Sequence, residues 1–384
     1  MTRPVYLDYN ATAPLKPAVI EAMTAALAEC GNASSVHRFG RLARRAVETA
    51  REEVAALVNA MPRQVAFTSG GTEANNLALK AIGAGRRLIV SAVEHDSVLK
   101  AAPEAEILPV DGRGEVDLAA LQAMLERDRR PALVAVMLAN NETGAVQPVA
   151  LAAHLAHAHG ALVHCDAVQA AGKLEIDMQR LGADTLALSA HKLGGPQGIG
   201  ALVISDALDV RPLLVGGGQE RGWRAGTENV AAIRGFGVAA RLAREDLPAM
   251  EALASLRDDM EGRLRRAAPE AVVFAPGAGR LPNTSCIALP GVSAETQVMA
   301  LDLAGVAVSA GSACSSGKVR PSHVLRAMGA PPEMANSAIR ISLGWRTAPA
   351  DIDHLVDAWT ALRARTRALS AEQADRPVPA AHIR

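Results

Sequence analysis

The sequence predicts an α/β fold with a mainly parallel sheet, and three observations point to it. Apolar runs of strand length alternate with Ala-rich stretches of helical spacing through the first two-thirds of the chain. Those runs are continuously apolar, as in strands covered on both faces. Hydrophobic residues make up 49% of the 384 positions, enough to bury a large interior and too many for a disordered chain. At this length two domains are the natural expectation.

In order, helical spacing appears first in LKPAVIEAMTAALAE (15–29) and RLARRAVETAREEVAALV (41–58). The expected strands are VAFT (65–68), RLIVSA (87–92), ALVAVMLA (132–139), ALVHC (161–165), DTLALSA (184–190) and GALVIS (200–205). Helical stretches between them give the βα alternation of a doubly wound sheet covered by helices. After about residue 225 the pattern changes. Two long helical stretches, NVAAIRGFGVAARLA (229–243) and AMEALASLRDDMEGRLRRA (249–267), lead to scattered strands such as NTSCIALP (283–290) and AIRISLG (338–344). A last helix is expected from Ala350 to Leu369, then a mobile tail, RPVPAAHIR (376–384). These signals describe a second, smaller α+β domain.

Composition narrows the function. Lys plus Arg equals Asp plus Glu, 40 against 40, so no net field recruits nucleic acid or an anionic membrane. Aromatics are only 2%, which argues against base-stacking platforms. MTRPVYLDYN is mixed and turn-like, unlike a targeting leader, and no apolar run approaches the ~20 residues of a spanning helix. Cys30, Cys165, Cys286 and Cys314 lie far apart without CxxC spacing, the pattern of neither a zinc site nor a disulfide framework. A soluble cytoplasmic enzyme, with no direct nucleic-acid or membrane partner, is expected.

In open α/β sheets ligands sit beyond the carboxyl ends of strands, and chemistry-bearing residues gather there. TSGGTEANN (68–76) follows a strand and opens a helix; its glycines, Gly71 among them, allow close backbone approach, and Thr72 adds a hydroxyl where a helix start favours an anion. An ordinary capped helix reads the same way. His95 follows a strand in EHDSVL (94–99), and NNETG (140–144) is a polar turn. Asp166 ends ALVHC, with Gln169 three residues on. A carboxylate beside a buried strand costs several kcal/mol unless partnered. Lys192, in SAHKLGGPQG (189–198), is one partner: a structural salt bridge satisfies both. The alternative is a Schiff-base lysine, with Asp166 on a pyridinium nitrogen and Ser189 and His191 on a phosphate, as proteins hold pyridoxal 5′-phosphate (PLP).

Cys165 and Cys286 sit in strand-like runs and read as inert core thiols, and Cys30 is read likewise. Cys314 differs. It lies in the Gly/Ser-rich AVSAGSACSSGKVRPSHVLRAMG (307–329), near Lys318 and Arg320, where an exposed thiol is reactive.

YLDYNATAP (6–14), GTEANN (71–76), EHDSVL, NNETG, DAVQAAG (166–172), SAHKLGGPQG, GGGQERGWRAGTEN (216–229), GSACSSG (311–317) and IRISLG (339–344) resemble successive motifs of the NifS/IscS-type cysteine desulfurases, in order and with similar spacing. These belong to the class V aminotransferase superfamily, fold type I of the PLP enzymes. The resemblance implies a large PLP-binding domain over 13–250 and a smaller domain from 1–12 and 251–375 carrying the catalytic Cys loop. It also implies a homodimer whose sites are built partly from the neighbouring subunit.

Residue by residue, the resemblance gives Lys192 the Schiff-base link to PLP, Asp166 the pyridine nitrogen, Gln169 the ring hydroxyl and His95 a stacking place on the ring. Gly71, Thr72, Ser189 and His191 line the phosphate, joined by Thr227 from the other subunit. Asn141 and Arg340 are similar to the residues holding the cofactor's ring side and the substrate carboxylate, and Arg340's planar fork suits a carboxylate. Cys314 matches the nucleophile that becomes a persulfide as L-cysteine is converted to L-alanine. The sulfur then passes to an acceptor protein such as an iron–sulfur scaffold, or toward tRNA thiolation. The stretch after Cys314 is similar to the longer loop of the NifS/IscS branch, while GNASS stands where GNPSS is commoner. A selenocysteine lyase or another class V lyase shares the PLP residues. Two readings from other classes are a metal site in HLAHAHGALVHC (154–165), with His154, His157, His159, His164 and Cys165, and a non-catalytic sulfur-transfer scaffold.

Overall fold

The structure is a computed structural model describing residues 4–277, 279–311 and 321–374, with side chains described through residue 368. Its centre is a seven-stranded sheet. The strands are β1 (Val65–Thr68), β2 (Arg87–Ser91), β3 (Glu106–Leu108), β4 (Ala132–Ala135), β5 (Leu162–Asp166), β6 (Thr185–Ser189) and β7 (Gly200–Ile204). Their spatial order is β1-β7-β6-β5-β4-β2-β3. The β3-β2-β4-β5-β6 block is parallel, while β7 runs antiparallel to both its neighbours.

Each expected apolar run in this sheet contains a strand, although the run 132–139 is a strand only over Ala132–Ala135. β1, β4, β6 and β7 are buried at every position, which accounts for their unbroken apolar character. The strand missing from the sequence reading is β3. It is three residues long, lies at the edge and leaves Ile107 exposed, so it carries no distinct apolar run. Apolar clusters pack both faces, one around Phe67, Val134, Val163 and Phe236 and the other around Leu77, Val90, Leu133 and Leu202. Helices Pro17–Ala28, Arg38–Leu57 and Val230–Glu245 close the first face, where each buried Leu or Val contributes ~1.5–3 kcal/mol.

The rest of the chain forms a four-stranded antiparallel sheet in the order 309–310, 338–342, 284–288, 272–273. It has its own core around Met260, Leu289, Ile341 and Trp359. Val5–Tyr6 pairs in parallel with Val306–Ala307, so the start of the chain sits with its C-terminal part. The helical stretch expected over 249–267 is two helices, Leu247–Glu251 and Leu253–Ala267, and the last helix runs Pro349–Ala374. The 376–384 tail lies outside the described residues.

Candidate active site

The carboxyl ends of the central strands open onto a cavity of about 610 Å³. Lys192 enters it from a single 3₁₀ turn, Ala190–Lys192, directly after β6. The chain then reverses into β7. Gly194 and Gly198 take φ of 78° and 79° there, the left-handed region that glycine adopts without a Cβ penalty. Lys192 Nζ donates to the backbone oxygens of Asn10 at 2.6 Å and Ala11 at 2.7 Å.

Asp166, at the end of β5, also lines the cavity and is buried. It is met by neutral donors: Asn75 Nδ2 at 2.7 Å and the Val168 amide at 3.0 Å. The bonds of both residues thus differ from the simple Lys192–Asp166 salt bridge that the sequence allowed. Asn75, inside GTEANN, is the unforeseen organiser. Its Nδ2 also donates to Ser97 Oγ at 2.8 Å, and its Oδ1 lies 3.0 Å from His164 Nε2. Complete burial pushes the His164 imidazole down to about 4, against the opposing field of Asp166, so the ring is neutral near pH 7.

His95 precedes the short helix Asp96–Leu99, and its Nδ1 accepts from the Ser97 amide at 3.1 Å. A backbone N–H can only donate, which leaves the proton of a neutral ring on Nε2. Beneath it, Glu94 is wholly buried. Burial first, then the Asp166 charge, pushes its carboxyl well above the usual range, and Oε1 accepts from the Met137 amide at 2.5 Å. Sequence reasoning passed over Glu94, although it adjoins His95 in EHDSVL.

Gly71 and Thr72 begin the helix Gly71–Leu77 and line the cavity with Ser189 and His191. A Cβ on Gly71 would stand 2.8 Å from Val168 Cγ2, so glycine lets the helix start lie close against Val168. His191 Nδ1 lies 3.2 Å from Thr12 Oγ1, and burial followed by the Lys192 charge pushes its ring down to about 4.

Arg340 reaches the cavity from the middle of the four-stranded sheet and is buried. Its Nη2 donates to Asp8 Oδ1 at 2.7 Å and its Nη1 to the Asn141 carbonyl at 3.1 Å. Its Nε is buried with no hydrogen-bond partner among the described residues. Gln169 and Asn141 complete the wall.

Thr227 is exposed and does not line this cavity. The segment before it is anchored by a buried ion pair, Arg51 Nη1 to Glu220 Oε2 at 2.6 Å, with Arg51 over the Phe67 ring at 4.8 Å. Cys314 lies outside the described residues, but Gly311 and Pro321, which flank that stretch, both line the cavity. Cys165 and Cys286 are buried core thiols, and burial pushes both upward. Cys30 is exposed two residues beyond the helix Pro17–Ala28, which corrects the core reading: no apolar run encloses it.

The histidines of 154–165 disperse. His157 Nε2 lies 2.9 Å from Asp184 Oδ2, while His164 Nδ1 lies 2.9 Å from Thr185 Oγ1 inside the sheet. Among the described residues no three His, Cys, Asp or Glu side chains gather in a metal-binding group.

Comparison with known proteins gives the family. Residues 5–355 match the aminotransferase class-V family model. The chain is 45% identical to a cysteine desulfurase of Cereibacter sphaeroides, with 95% of this chain and 97% of the relative covered. It is 41% identical to the cysteine desulfurase IscS of Dictyoglomus turgidum, over 96% of this chain and 97% of the relative. Among solved structures, a NifS-like protein from Rickettsia africae superposes with a TM-score of 0.88 at 34% identity, covering 94% of this chain and all of that one. With the family model matched across nearly its whole length, the chain belongs to the aminotransferase class-V family.

Proposed function

We propose that the cavity holds PLP and that the chain is a cysteine desulfurase, moving sulfur from L-cysteine onto Cys314 and releasing L-alanine. The observation that carries this reading is the meeting of an amine, Lys192, a buried carboxylate, Asp166, and a buried guanidinium, Arg340, around one cavity. The donor set fits the group: an amine for the aldehyde carbon, a carboxylate for the ring nitrogen, and hydroxyl and imidazole groups for the phosphate. Gly71 lets the start of its helix lie close against Val168 in the cavity wall, and Arg340 brings a buried guanidinium to the same cavity.

When bound, PLP supplies an electron sink that weakens the bonds at Cα of an attached amino acid. Lys192 would hold it through Nζ and, once displaced by the substrate amine, take the proton from substrate Cα. Asp166 would keep the ring nitrogen protonated, Gln169 would face the ring hydroxyl and His95 the ring. Thr72, Ser189 and His191 would hold the phosphate, with Thr227 of a second copy in a homodimer; exposure of Thr227 outside its own cavity supports that sharing. Arg340, with Asn141 beside it, would orient the substrate carboxylate. The overall change balances: L-cysteine and the Cys314 thiol give L-alanine and a Cys314 persulfide, the Cβ–S bond breaking as the S–S bond forms. An acceptor protein, such as an iron–sulfur scaffold, then takes the sulfur. The same reading divides the chain into a large domain, 13–250, and a smaller one from 1–12 and 251–375, in line with the two separate sheet cores.

Absorbance of the purified protein tests the reading. Wild type should carry or take up PLP as a coloured covalent adduct, and Lys192→Ala should lose that adduct. A wild type that takes up no PLP would overturn it.

A further inference from the structure

Lys173 is buried and lines a second cavity of about 420 Å³, which shares Lys192 with the main one. It is absent from the walls of the main cavity, yet it is bonded to residues that form them. Its Nζ donates to Gln169 Oε1 at 2.8 Å and to Asn10 Oδ1 at 2.7 Å. It forms no ion pair with a carboxylate among the described residues. A buried amine held only by amide oxygens is costly to keep. Burial first, then the Lys192 and Arg340 charges, pushes it well below the usual lysine range.

The orientation of Gln169 follows from these bonds. Its Nε2 donates to the Asn10 carbonyl at 2.9 Å, the oxygen that also accepts from Lys192 Nζ. A carbonyl can only accept, so the NH₂ end lies on the Lys192 side and Oε1 lies on Lys173. Asn10 is fixed in the same way: its Nδ2 donates to Thr284 Oγ1 at 2.9 Å, which turns Oδ1 toward Lys173. One N–H of Gln169 is used on Asn10, and the second remains for the cavity.

We infer that Lys173 is a positioning residue for the cofactor site: by holding Gln169 Oε1 it makes Gln169 a fixed N–H donor toward the cavity. The inference rests on reading that cavity as the PLP site. A fixed donor stabilises a negatively charged ring oxygen, whereas a flipped amide would set oxygen against oxygen. Lys173 does not line that cavity and acts through Gln169.

The test is the pH midpoint of the bound cofactor's visible absorbance, with PLP affinity measured alongside. Lys173→Met should raise the midpoint by about one unit, the scale of one lost hydrogen bond to a charged group. Gln169→Ala should raise it similarly. The double variant should move it no further than either single one, because both remove the same donor; a merely structural role would give additive effects. Where Lys173→Met fails to fold, Lys173→Gln serves, since its amide presents an oxygen as readily as an N–H and leaves Gln169 free to flip. A wild type that binds PLP, beside a lysine variant with unchanged midpoint and affinity, overturns the inference and leaves the PLP reading standing. Additive shifts, or a silent Gln169→Ala, overturn it equally. A wild type that takes up no PLP overturns both.

Discussion

Asp8 and Arg340, 332 positions apart, meet at 2.7 Å between Asp8 Oδ1 and Arg340 Nη2, joining the N-terminal segment to the middle of the four-stranded sheet. Asp8 Oδ2 accepts from Ser309 Oγ at 2.8 Å, so the carboxylate is held at both oxygens. The pair leaves the guanidinium anchored from one side, with Nε unused among the described residues.

Arg340→Ala should accordingly lose most of its affinity for L-cysteine while keeping PLP. Removing one partner of a buried charge pair costs about 2–5 kcal/mol, so a rise in KM on the order of 30-fold or more is expected. Steady-state kinetics with a parallel PLP titration measures this. An unchanged KM would take Arg340 out of substrate binding.

His164 makes stability fall on acidification. Its folded value is about 4, below the ~6.5 of an unfolded histidine, so the unfolded chain binds the proton first. The contribution is present above the unfolded value and is lost as pH falls toward the folded one, amounting to about 2 kcal/mol at pH 5. Glu94 and Glu142, both raised by burial, contribute the opposite slope as pH rises past the ordinary carboxylate range. The comparison is therefore between variants. In denaturant titrations at pH 7 and pH 5, His164→Gln should lose less stability than wild type; an equal loss would contradict the assignment.

Why some of this was legible and some was not has a physical basis. Lys192 and Asp166 stood out because a charge at the end of a wholly apolar strand conflicts with its surroundings and needs a partner. The strands were legible because burial on both faces leaves no polar interruption. Asn10, Asn75 and Lys173 gave no such signal: each bonds residues far along the chain, as in Asn75 with Asp166, Lys173 with Asn10 and Asn10 with Thr284, which no local periodicity encodes. Asp8 and Asn75 lie inside motifs already quoted, yet only the folded chain assigns them partners.

Thr227 offers a test of sharing between subunits. A mixed dimer, with Thr227→Ala on one subunit and Lys192→Ala on the other, should gather both lesions into one site and leave the other intact. About half the wild-type activity is expected from one intact site in two. If Thr227 served its own chain, both sites would be damaged and activity would fall close to that of the single variants.

The central claim is that sulfur leaves L-cysteine for Cys314, and intact-protein mass spectrometry under non-reducing conditions tests it most directly. After exposure to L-cysteine the PLP-loaded protein should gain the mass of one sulfur atom, located on the peptide containing Cys314. Cys165→Ser and Cys286→Ser should retain the gain, since both thiols are buried and raised by burial. Cys314→Ser should bind PLP, gain no sulfur and release no alanine above background. Alanine formed by Cys314→Ser at the wild-type rate would contradict the account and identify a lyase that needs no thiol of its own.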